Sequence, residues 1–221
     1  RYTYDFAELW IICIPCGFTN ANKKGDAEEW FSNNYKSIYT YLVNIEKELS
    51  KNRSSKSKGL YKRDDQGDYW WELRSCKYMD EFNKQKIIYP CIMPKSPSFI
   101  LDEKAEFYTI APGNIITGKH LKFLNACLNS SVFYFALRKY YMGGGIEGEL
   151  KTNRLLILPV PKSEDVEYEN AKKIEDLYNK IINNISNKEI FNNCLNRIDC
   201  LLASSLNLTE EEYSYIINSI F

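Results

Sequence analysis

The stretch Gln66–Pro94, QGDYWWELRSCKYMDEFNKQKIIYPCIMP, constrains the fold of this chain more than any other. It joins two adjacent tryptophans and an arginine to a β-branched segment, Lys86 to Cys91, that has the composition of a strand. Adjacent side chains do not share one face of a strand or of a helix. We therefore expect one of Trp70 and Trp71 to lie in the core and the other to face outward, the simpler alternative being that both are partly buried. Arg74 comes within reach of either ring if the segment is helical.

The remaining sequence alternates strand and helix patterns. With 221 residues and 44% hydrophobic residues, the chain can bury a substantial core. The apolar run Leu9–Cys16 predicts a buried strand, and the spacing of apolar residues predicts one helix from Asp26 to Leu49 and another from Gly118 to about Tyr141. Further strands are predicted at Lys86–Cys91, 97–101, 107–110, 114–117 and Asn153–Leu158.

The last sixty residues predict three helices, near 164–186, 189–205 and 209–220, the last capped by Thr209 with Glu212 three residues later. The predicted fold class is α/β (α+β), a twisted mixed sheet flanked by helices and followed by a C-terminal helical region. We place the domain boundary near Pro159–Lys162, with a mixed α/β domain over residues 1–161 and a helical tail over residues 162–221.

Charge is balanced overall, because 29 lysines and arginines face 29 aspartates and glutamates. The net charge of the chain therefore gives no reason to predict nucleic-acid binding. The distribution is uneven, since residues 1–63 carry 11 basic and 7 acidic groups and residues 162–221 carry 6 and 11. The basic excess is N-terminal, and the tail is acidic.

Seven scattered cysteines in apolar surroundings are typical of a reducing compartment. The sequence shows no signal-peptide pattern and no apolar run of membrane-spanning length, so we predict a cytoplasmic protein. Because it opens at Arg1 without an initiator methionine, we expect it to be part of a longer polypeptide.

The segment Lys51–Arg63, KNRSSKSKGLYKR, holds six basic residues and no acidic one. Such a segment cannot bury its own surface. A solvated loop is one interpretation. The other is a loop whose lysines and arginines contact phosphates of DNA.

Three other motifs give weaker indications of a catalytic or metal-binding site. Cys13 and Cys16 have the spacing of a redox pair, but Gly17 stands where the helix of that motif should begin. His120 has no second histidine in the chain with which to build a catalytic set. The aspartates at 64, 65 and 68 resemble a calcium loop, but Ser75 occupies the position of its bidentate glutamate.

Several strings, taken in order, resemble one known family. They are QGDYWWELRSCKYMDEFNKQKIIYP, PSFILDEKAEFYT, HLKFLNACLNSSVFYFALR, GGG and LLILPVPK, with IICIPCGFT, WFSNNYKSIYTYL and NRIDCLLASSLNLTEEE beside them. Together they resemble the TaqI-like C-terminal specificity domain of type IIG restriction-modification enzymes. The likeness covers nearly the whole chain. Glu147 and Glu149 depart from it, because a DNA-facing loop is more often basic.

The resemblance implies a target recognition domain that reads double-stranded DNA. It would direct adenine methyltransferase and endonuclease domains that lie upstream in the same polypeptide. S-adenosylmethionine and magnesium would bind in those domains, and no cofactor is expected in this chain. The sequence has no NPPY-type methylation motif and no PD-(D/E)xK nuclease signature, so we expect it to bind DNA without catalysis.

The predicted DNA contacts are the basic segment and its neighbours: Arg53, Lys56, Lys58, Lys62, Arg63, Trp71, Arg74 and Lys86. Within this set, the Trp70–Arg74 segment either scaffolds the surface or reads bases, and as a scaffold it would affect stability before specificity. Two alternatives remain, a specificity subunit of a multi-subunit restriction system and a protein interaction module whose acidic tail docks a partner. A redox enzyme would require a low thiol pKa at Cys13.

Overall fold

The structure is a computed structural model, which describes residues 2–3, 8–51, 58–93, 95–162 and 168–220. The chain divides into two compact units: Glu8–Met79, here called the hairpin unit, and Arg1–Ala7 with Asp80–Phe221, here called the sheet unit. This division differs from the boundary after residue 161 that the sequence indicates. The reason is that the C-terminal helices share one core with the sheet.

The helices of the hairpin unit are α1 (Phe18–Asn22), α2 (Ala27–Asn34) and α3 (Lys36–Lys51). Asp26 caps α2, because its Oδ1 accepts a hydrogen bond from the Glu29 N–H at 2.9 Å. The prediction of one continuous helix to Leu49 is wrong, since Tyr35 leaves the helical conformation (φ −127°, ψ 44°) between α2 and α3. The Tyr35 ring packs 5.4 Å from that of Phe31, so the break is part of an aromatic cluster.

The strand predicted over Leu9–Cys16 is wrong. The segment is irregular, and no strand among the described residues pairs with it. Its one long-range backbone hydrogen bond within the described residues joins the Ile14 carbonyl to the Leu73 N–H at 2.8 Å. Leu9 and Trp10 are 79% and 88% exposed. An apolar run becomes a strand only where a neighbouring strand satisfies its backbone groups.

The sheet unit is α+β with a helical C-terminal region, as the sequence predicts. Its strands are β1 (Lys86–Pro90), β2 (Ile100–Asp102) and β3 (Gly113–Thr117), in the order β2-β1-β3. Ile87 of the central strand lies opposite Leu101 and Ile116, and both pairings are antiparallel. In the described residues, the expected mixed sheet is therefore a purely antiparallel one.

Two predicted strands are absent from the described sheet. Residues 107–110 are irregular. Asn153–Leu158 forms α6 (Thr152–Leu155) followed by a turn, with the Leu155 N–H bonded to the Lys151 carbonyl at 3.1 Å. Short apolar runs give no periodicity that separates strand from helix, which explains both errors.

The helix predicted from Gly118 to Tyr141 is divided into α4 (Leu121–Asn129), α5 (Ser131–Ala136) and a π-helix (Leu137–Tyr141). Ser130 separates α4 from α5, and its Oγ accepts a hydrogen bond from the Phe133 N–H at 3.2 Å. The Ser131 N–H donates to Asp199 Oδ1 at 2.7 Å, from 68 residues further along the chain. The break is therefore stabilised by both a local cap and a distant carboxylate.

The three predicted C-terminal helices are confirmed as α7 (Tyr168–Asn183), α8 (Lys188–Ser205) and α9 (Glu210–Ile220). Thr209 and Glu212 form the predicted capping box: the Glu212 carboxylate accepts from the Thr209 N–H at 2.8 Å, and Thr209 Oγ1 accepts from the Glu212 N–H at 3.2 Å. Ile174 and Ile198 are fully buried in the core that also contains Ile87. Among the described helices, none has both the length and the apolar composition that a membrane crossing requires.

Candidate nucleic-acid interface

A tight hairpin organises the surface of the hairpin unit. It is closed by a 3.1 Å hydrogen bond from the Arg74 N–H to the Asp65 carbonyl, and Gln66 pairs with Leu73 in antiparallel register. Gly67 lies where a Cβ would come within 2.7 Å of the Leu73 carbonyl oxygen, so a larger residue would push the two arms apart. The hairpin therefore holds its arms at fixed positions.

Trp71, in the turn of this hairpin, is the centre of an aromatic column. Its ring lies parallel to Phe31 at 4.9 Å on one side and to Tyr69 at 5.0 Å on the other. The indole Nε1 donates to Thr19 Oγ1 at 2.9 Å, and the Lys23 ammonium lies 5.5 Å from the centre of the Tyr69 ring. Trp71 is only 5% exposed. It is the core member of the tryptophan pair, and its ring faces are already occupied.

Trp70 is half-buried and packs edge-on against Tyr61, with ring centroids 4.5 Å apart. It also lies perpendicular to Trp71 at 5.4 Å. One tryptophan is therefore in the core and the other lies at its margin, which agrees with the expectation that adjacent rings face different ways.

Glu72 attaches the hairpin to helix α1. Its buried carboxylate accepts hydrogen bonds from the N–H groups of Gly17, Thr19 and Asp68 at 3.1, 2.8 and 3.0 Å. The N-terminus of α1 has no side-chain cap of its own, so this carboxylate satisfies backbone donors that would otherwise be buried without partners. Glu72 was not among the residues predicted from the sequence.

The predicted basic contacts are only partly in the described structure. Arg53 and Lys56 lie outside the described residues. Lys58 is exposed and forms an ion pair with Asp64 at 2.6 Å. Lys62 and Arg74 are exposed, and neither side chain makes a hydrogen bond or an ion pair with any residue that the structure describes. Among the predicted contacts that the structure describes, these two cations are available to a ligand.

Arg63 has a structural role. Its Nη2 donates to the Glu72 carbonyl, and its Nε lies 3.9 Å from Asp65 Oδ1. The guanidinium thus contacts both arms of the hairpin. Although Arg63 belongs to the predicted basic segment, it holds that segment against the hairpin instead of extending into solvent.

Glu46 fixes the C-terminal side of the basic segment. It is buried on α3, and its Oε2 accepts a hydrogen bond from the Leu60 N–H at 2.6 Å. Glu46 was not predicted from the sequence, although a signal was present. Glu46 follows Leu42 by four residues and so lies on the apolar face of the helix, where a carboxylate requires a partner.

Lys86 lies in the sheet unit and is fully buried. Its ammonium is 2.6 Å from Asp102 Oδ2 and donates to the Phe82 carbonyl at 2.8 Å. The Asp102 carboxylate also accepts from the N–H groups of Glu106 and Phe107. Although burial raises the pKa of Asp102, these hydrogen bonds outweigh burial and lower it. Lys86 is therefore engaged in the fold and has no exposed ammonium to offer DNA.

The cysteine pair lacks the electrostatics of a redox site. Burial, together with Cys76, raises the pKa of the Cys13 thiol, whereas a reactive cysteine requires a lowered one.

Ligand atoms of Cys16, Asp68 and Glu72 lie within 4.8 Å of one another. However, both oxygens of Glu72 already accept backbone hydrogen bonds, which explains this cluster without an ion.

A comparison of the sequence with protein-family models and with curated proteins finds no match.

Proposed function

We propose that this chain is a recognition domain for double-stranded DNA, of the type that directs the methyltransferase and endonuclease domains of type IIG restriction-modification enzymes. The observation that carries the proposal is the position of Lys62 and Arg74. Both side chains are exposed and have no hydrogen-bond or ion-pair partner among the described residues. Arg74 ends the hairpin that the Trp71 column and Glu72 make rigid, and Lys62 lies three residues before its first residue, Asp65. Rigid support of exposed cations suits a surface that must match the spacing of phosphates and base edges.

The two cations suit different roles. Lysine is a flexible point charge, so we assign Lys62 to phosphate contact. Arginine carries a planar fork that binds the O6 and N7 atoms of guanine together, so Arg74 is the better candidate for reading a base in the major groove. Arg53 and Lys56 remain candidates for phosphate contact on the resemblance alone, and Lys58 can join them if it leaves Asp64. Trp71, Arg63 and Lys86 enter the proposal as residues that maintain the fold.

The balanced charge of the chain limits how tightly it can bind by itself. A few phosphate contacts give only weak, salt-dependent affinity, on the order of 10⁻⁴–10⁻⁶ M for non-specific duplex at physiological salt. We propose that the remaining affinity comes from the upstream catalytic domains that the resemblance implies. In this proposal, S-adenosylmethionine and magnesium bind in those upstream domains. The cytoplasmic location is also part of the proposal.

The test is duplex binding by the whole chain across salt concentration, measured by fluorescence anisotropy with a random-sequence duplex. Combined substitution Lys62→Gln and Arg74→Gln should reduce the slope of log affinity against log salt by about 1, the change expected for the phosphate contact of Lys62, since Arg74 is assigned to a base edge. Lys188→Gln, at an exposed cation of α8, is the matched control and should leave the slope unchanged. An equal slope in the double variant and the wild type would overturn the assignment of the surface.

Specificity is tested separately, by selection of bound sequences from a random duplex pool. Arg74→Gln should relax the preference at one position, whereas Lys62→Gln should weaken binding to all sequences alike. Trypsin protection of the basic segment Lys51–Arg63 by duplex distinguishes DNA recognition from a protein interaction module, because only the former predicts protection.

A further inference from the structure

A small open pocket lies in the sheet unit, between α5, the π-helix and α9. Its volume is about 240 Å³. It is lined by two aromatic rings, two cations, one hydroxyl and one aliphatic side chain: Phe135, Tyr215, Arg138, Lys139, Ser219 and Ile220. We infer that this pocket binds a single nucleotide, with the base against Tyr215 and the phosphate against Arg138 and Lys139.

The two rings form a corner that suits a planar base. Phe135 and Tyr215 are perpendicular, with an interplanar angle of 82° and centroids 6.0 Å apart. A base that stacks on the Tyr215 face presents its edge to Phe135, which is a favourable arrangement for aromatic groups. Tyr215 is 61% exposed, so its ring is accessible. Stacking of this kind accepts any base, because every base has a π-face.

The two cations are brought to the same pocket by an unusual helix. Arg138 and Lys139 are adjacent in sequence, and in an α-helix adjacent side chains point about 100° apart. Both lie within the π-helix Leu137–Tyr141, in which more residues per turn bring neighbours closer together. Single π-helical turns occur frequently at functional sites. Arg138 can bind a phosphate through two parallel hydrogen bonds, and Lys139 adds a second positive charge.

Arg138 has two contacts among the described residues, the Tyr134 ring at 6.0 Å and the Glu147 carboxylate, and the contact with Glu147 is weak enough to be displaced. Its Nη2 lies 3.7 Å from Glu147 Oε1, and the two side chains are 40% and 80% exposed. A pair of this length and exposure contributes little, because solvent screens it. Lys139 is exposed and makes no ion pair with any described residue. A phosphate can therefore replace Glu147 at Arg138.

The size and floor of the pocket limit its occupant. The volume of the pocket is below the range of about 300 to 1,000 Å³ that is typical of pockets for drug-sized ligands, so the occupant is at most one nucleotide, part of which remains in solvent. Ile220 lies at the floor and packs with Tyr134 and Ile216 in a small apolar cluster. The Ser219 hydroxyl donates to the Tyr215 carbonyl at 2.6 Å, which leaves its oxygen able to accept a hydrogen bond from a base or a ribose.

This inference goes beyond the proposed DNA recognition and does not depend on it, because the residues belong to the sheet unit. The same nucleotide chemistry has two sources, a free mononucleotide and the terminal nucleotide of a single strand. Titrations of the whole chain with AMP and with a 5′-phosphorylated single-stranded tetranucleotide distinguish them. Tighter binding of the tetranucleotide identifies a strand end, and equal or tighter binding of AMP identifies a free nucleotide.

The site itself is tested by calorimetric titration with AMP, adenosine and inorganic phosphate. We expect AMP to bind most tightly, because only AMP uses both the rings and the cations. Combined substitution Arg138→Gln and Lys139→Gln should weaken AMP binding at least about tenfold, and Tyr215→Leu should weaken it about five- to tenfold. Lys180→Gln, at an exposed cation of α7 in the same unit, is the control and should have no effect.

Glu147→Gln should strengthen AMP binding, whereas the substitutions above weaken it. It frees Arg138 and removes a negative charge beside the phosphate, so AMP binding should tighten a few-fold. All substituted positions are exposed, and far-UV circular dichroism checks that each variant folds. Absence of saturable binding at millimolar AMP overturns the inference, as does equal affinity of the wild type and the Arg138→Gln, Lys139→Gln variant.

Discussion

The hairpin Asp65–Arg74 and the strand β1 lie within thirty residues of each other, and each contains a basic residue that the sequence marks as a DNA contact. The outcomes are opposite. Arg74 is exposed without a partner among the described residues, whereas Lys86 is fully buried beside Asp102. What separates them is the tertiary environment: β1 is the central strand of a covered sheet, and the hairpin arm lies at the surface of another unit.

Two ion pairs show the same contrast at equal distance. The Lys86–Asp102 and Lys58–Asp64 pairs both have a nitrogen-to-oxygen distance of 2.6 Å. The side chains of the first pair are 0% and 2% exposed, and those of the second 57% and 81%. Removing one member of a buried pair leaves an uncompensated charge, while removing one member of an exposed pair leaves a charge in water. The nitrogen-to-oxygen distance alone therefore does not indicate how much an ion pair contributes to the stability of the fold.

Trp71→Ala should have the largest effect on stability. It removes the middle ring of the aromatic column and the hydrogen bond to Thr19, and we expect a loss of about 4 kcal/mol. Hydrogen exchange should show the loss of protection first in the hairpin unit. Trp70→Ala is the matched control and should cost less, because Trp70 is only half-buried. Equal losses for the two variants would contradict the central position of Trp71.

Lys86→Met comes next, with an expected loss of about 3 kcal/mol. Methionine retains most of the packing, but Asp102 keeps a buried charge without its ammonium. Urea unfolding measures the loss, and hydrogen exchange should locate it in β1 and β2. Lys84→Met, at an exposed lysine 2.6 Å from Glu81, is the control and should change stability little. A small effect at both positions would show that the buried pair is not a source of stability.

The cost of Lys86→Met should decrease in acid. The pKa of Asp102 is lowered in the folded protein, so its contribution is present above the unfolded value of about 3.9 and is lost as pH falls through the folded pKa. Once Asp102 is protonated, the wild-type protein holds the buried Lys86 ammonium without a carboxylate charge beside it. In the variant, protonation of Asp102 removes its unpaired charge. The difference in the free energy of unfolding between wild type and Lys86→Met should decrease by about 1.4 kcal/mol for each unit by which Lys86 lowers the pKa of Asp102. Urea unfolding at neutral pH and below about pH 4 tests this, and a constant difference would refute it.

Lys58→Gln should have the smallest effect, at most about 1 kcal/mol, despite the short distance to Asp64. Chemical denaturation in low and high salt measures it, and salt should reduce even this difference. A loss comparable with that of Lys86→Met would break the contrast between the two pairs.

Much of the helical structure could be predicted because its signals are local. The capping box of Thr209 and Glu212, the Asp26 cap and the C-terminal helices follow from side chains three to four residues apart. The central strand was predicted for the same reason, since KIIYP combines β-branched and aromatic residues between turn signals. The unequal burial of the two tryptophans, with Trp71 in the core and Trp70 half-buried beside it, agrees with the expectation that adjacent side chains point in different directions.

The errors fall where a distant residue decides the outcome. The helix through Ser130 is broken with help from Asp199, and the run Leu9–Cys16 is no strand because no described strand pairs with it. Nothing near Lys86 in the sequence indicates that Asp102 will neutralise it across the sheet. Glu72 was missed because two of its three backbone partners, Gly17 and Thr19, lie more than fifty residues before it in the sequence.

The sequence by itself determined the α+β class, the helical C-terminal region and the presence of an aromatic segment beside a basic one, because periodicity, caps and composition act over a few residues. Only the tertiary structure decided which cations reach solvent. Burial and pairing depend on the neighbours that the fold supplies, so Lys86 and Arg63 became structural residues while Lys62 and Arg74 stayed exposed. The tertiary structure likewise brought two rings and two cations from α5, the π-helix and α9 to one pocket.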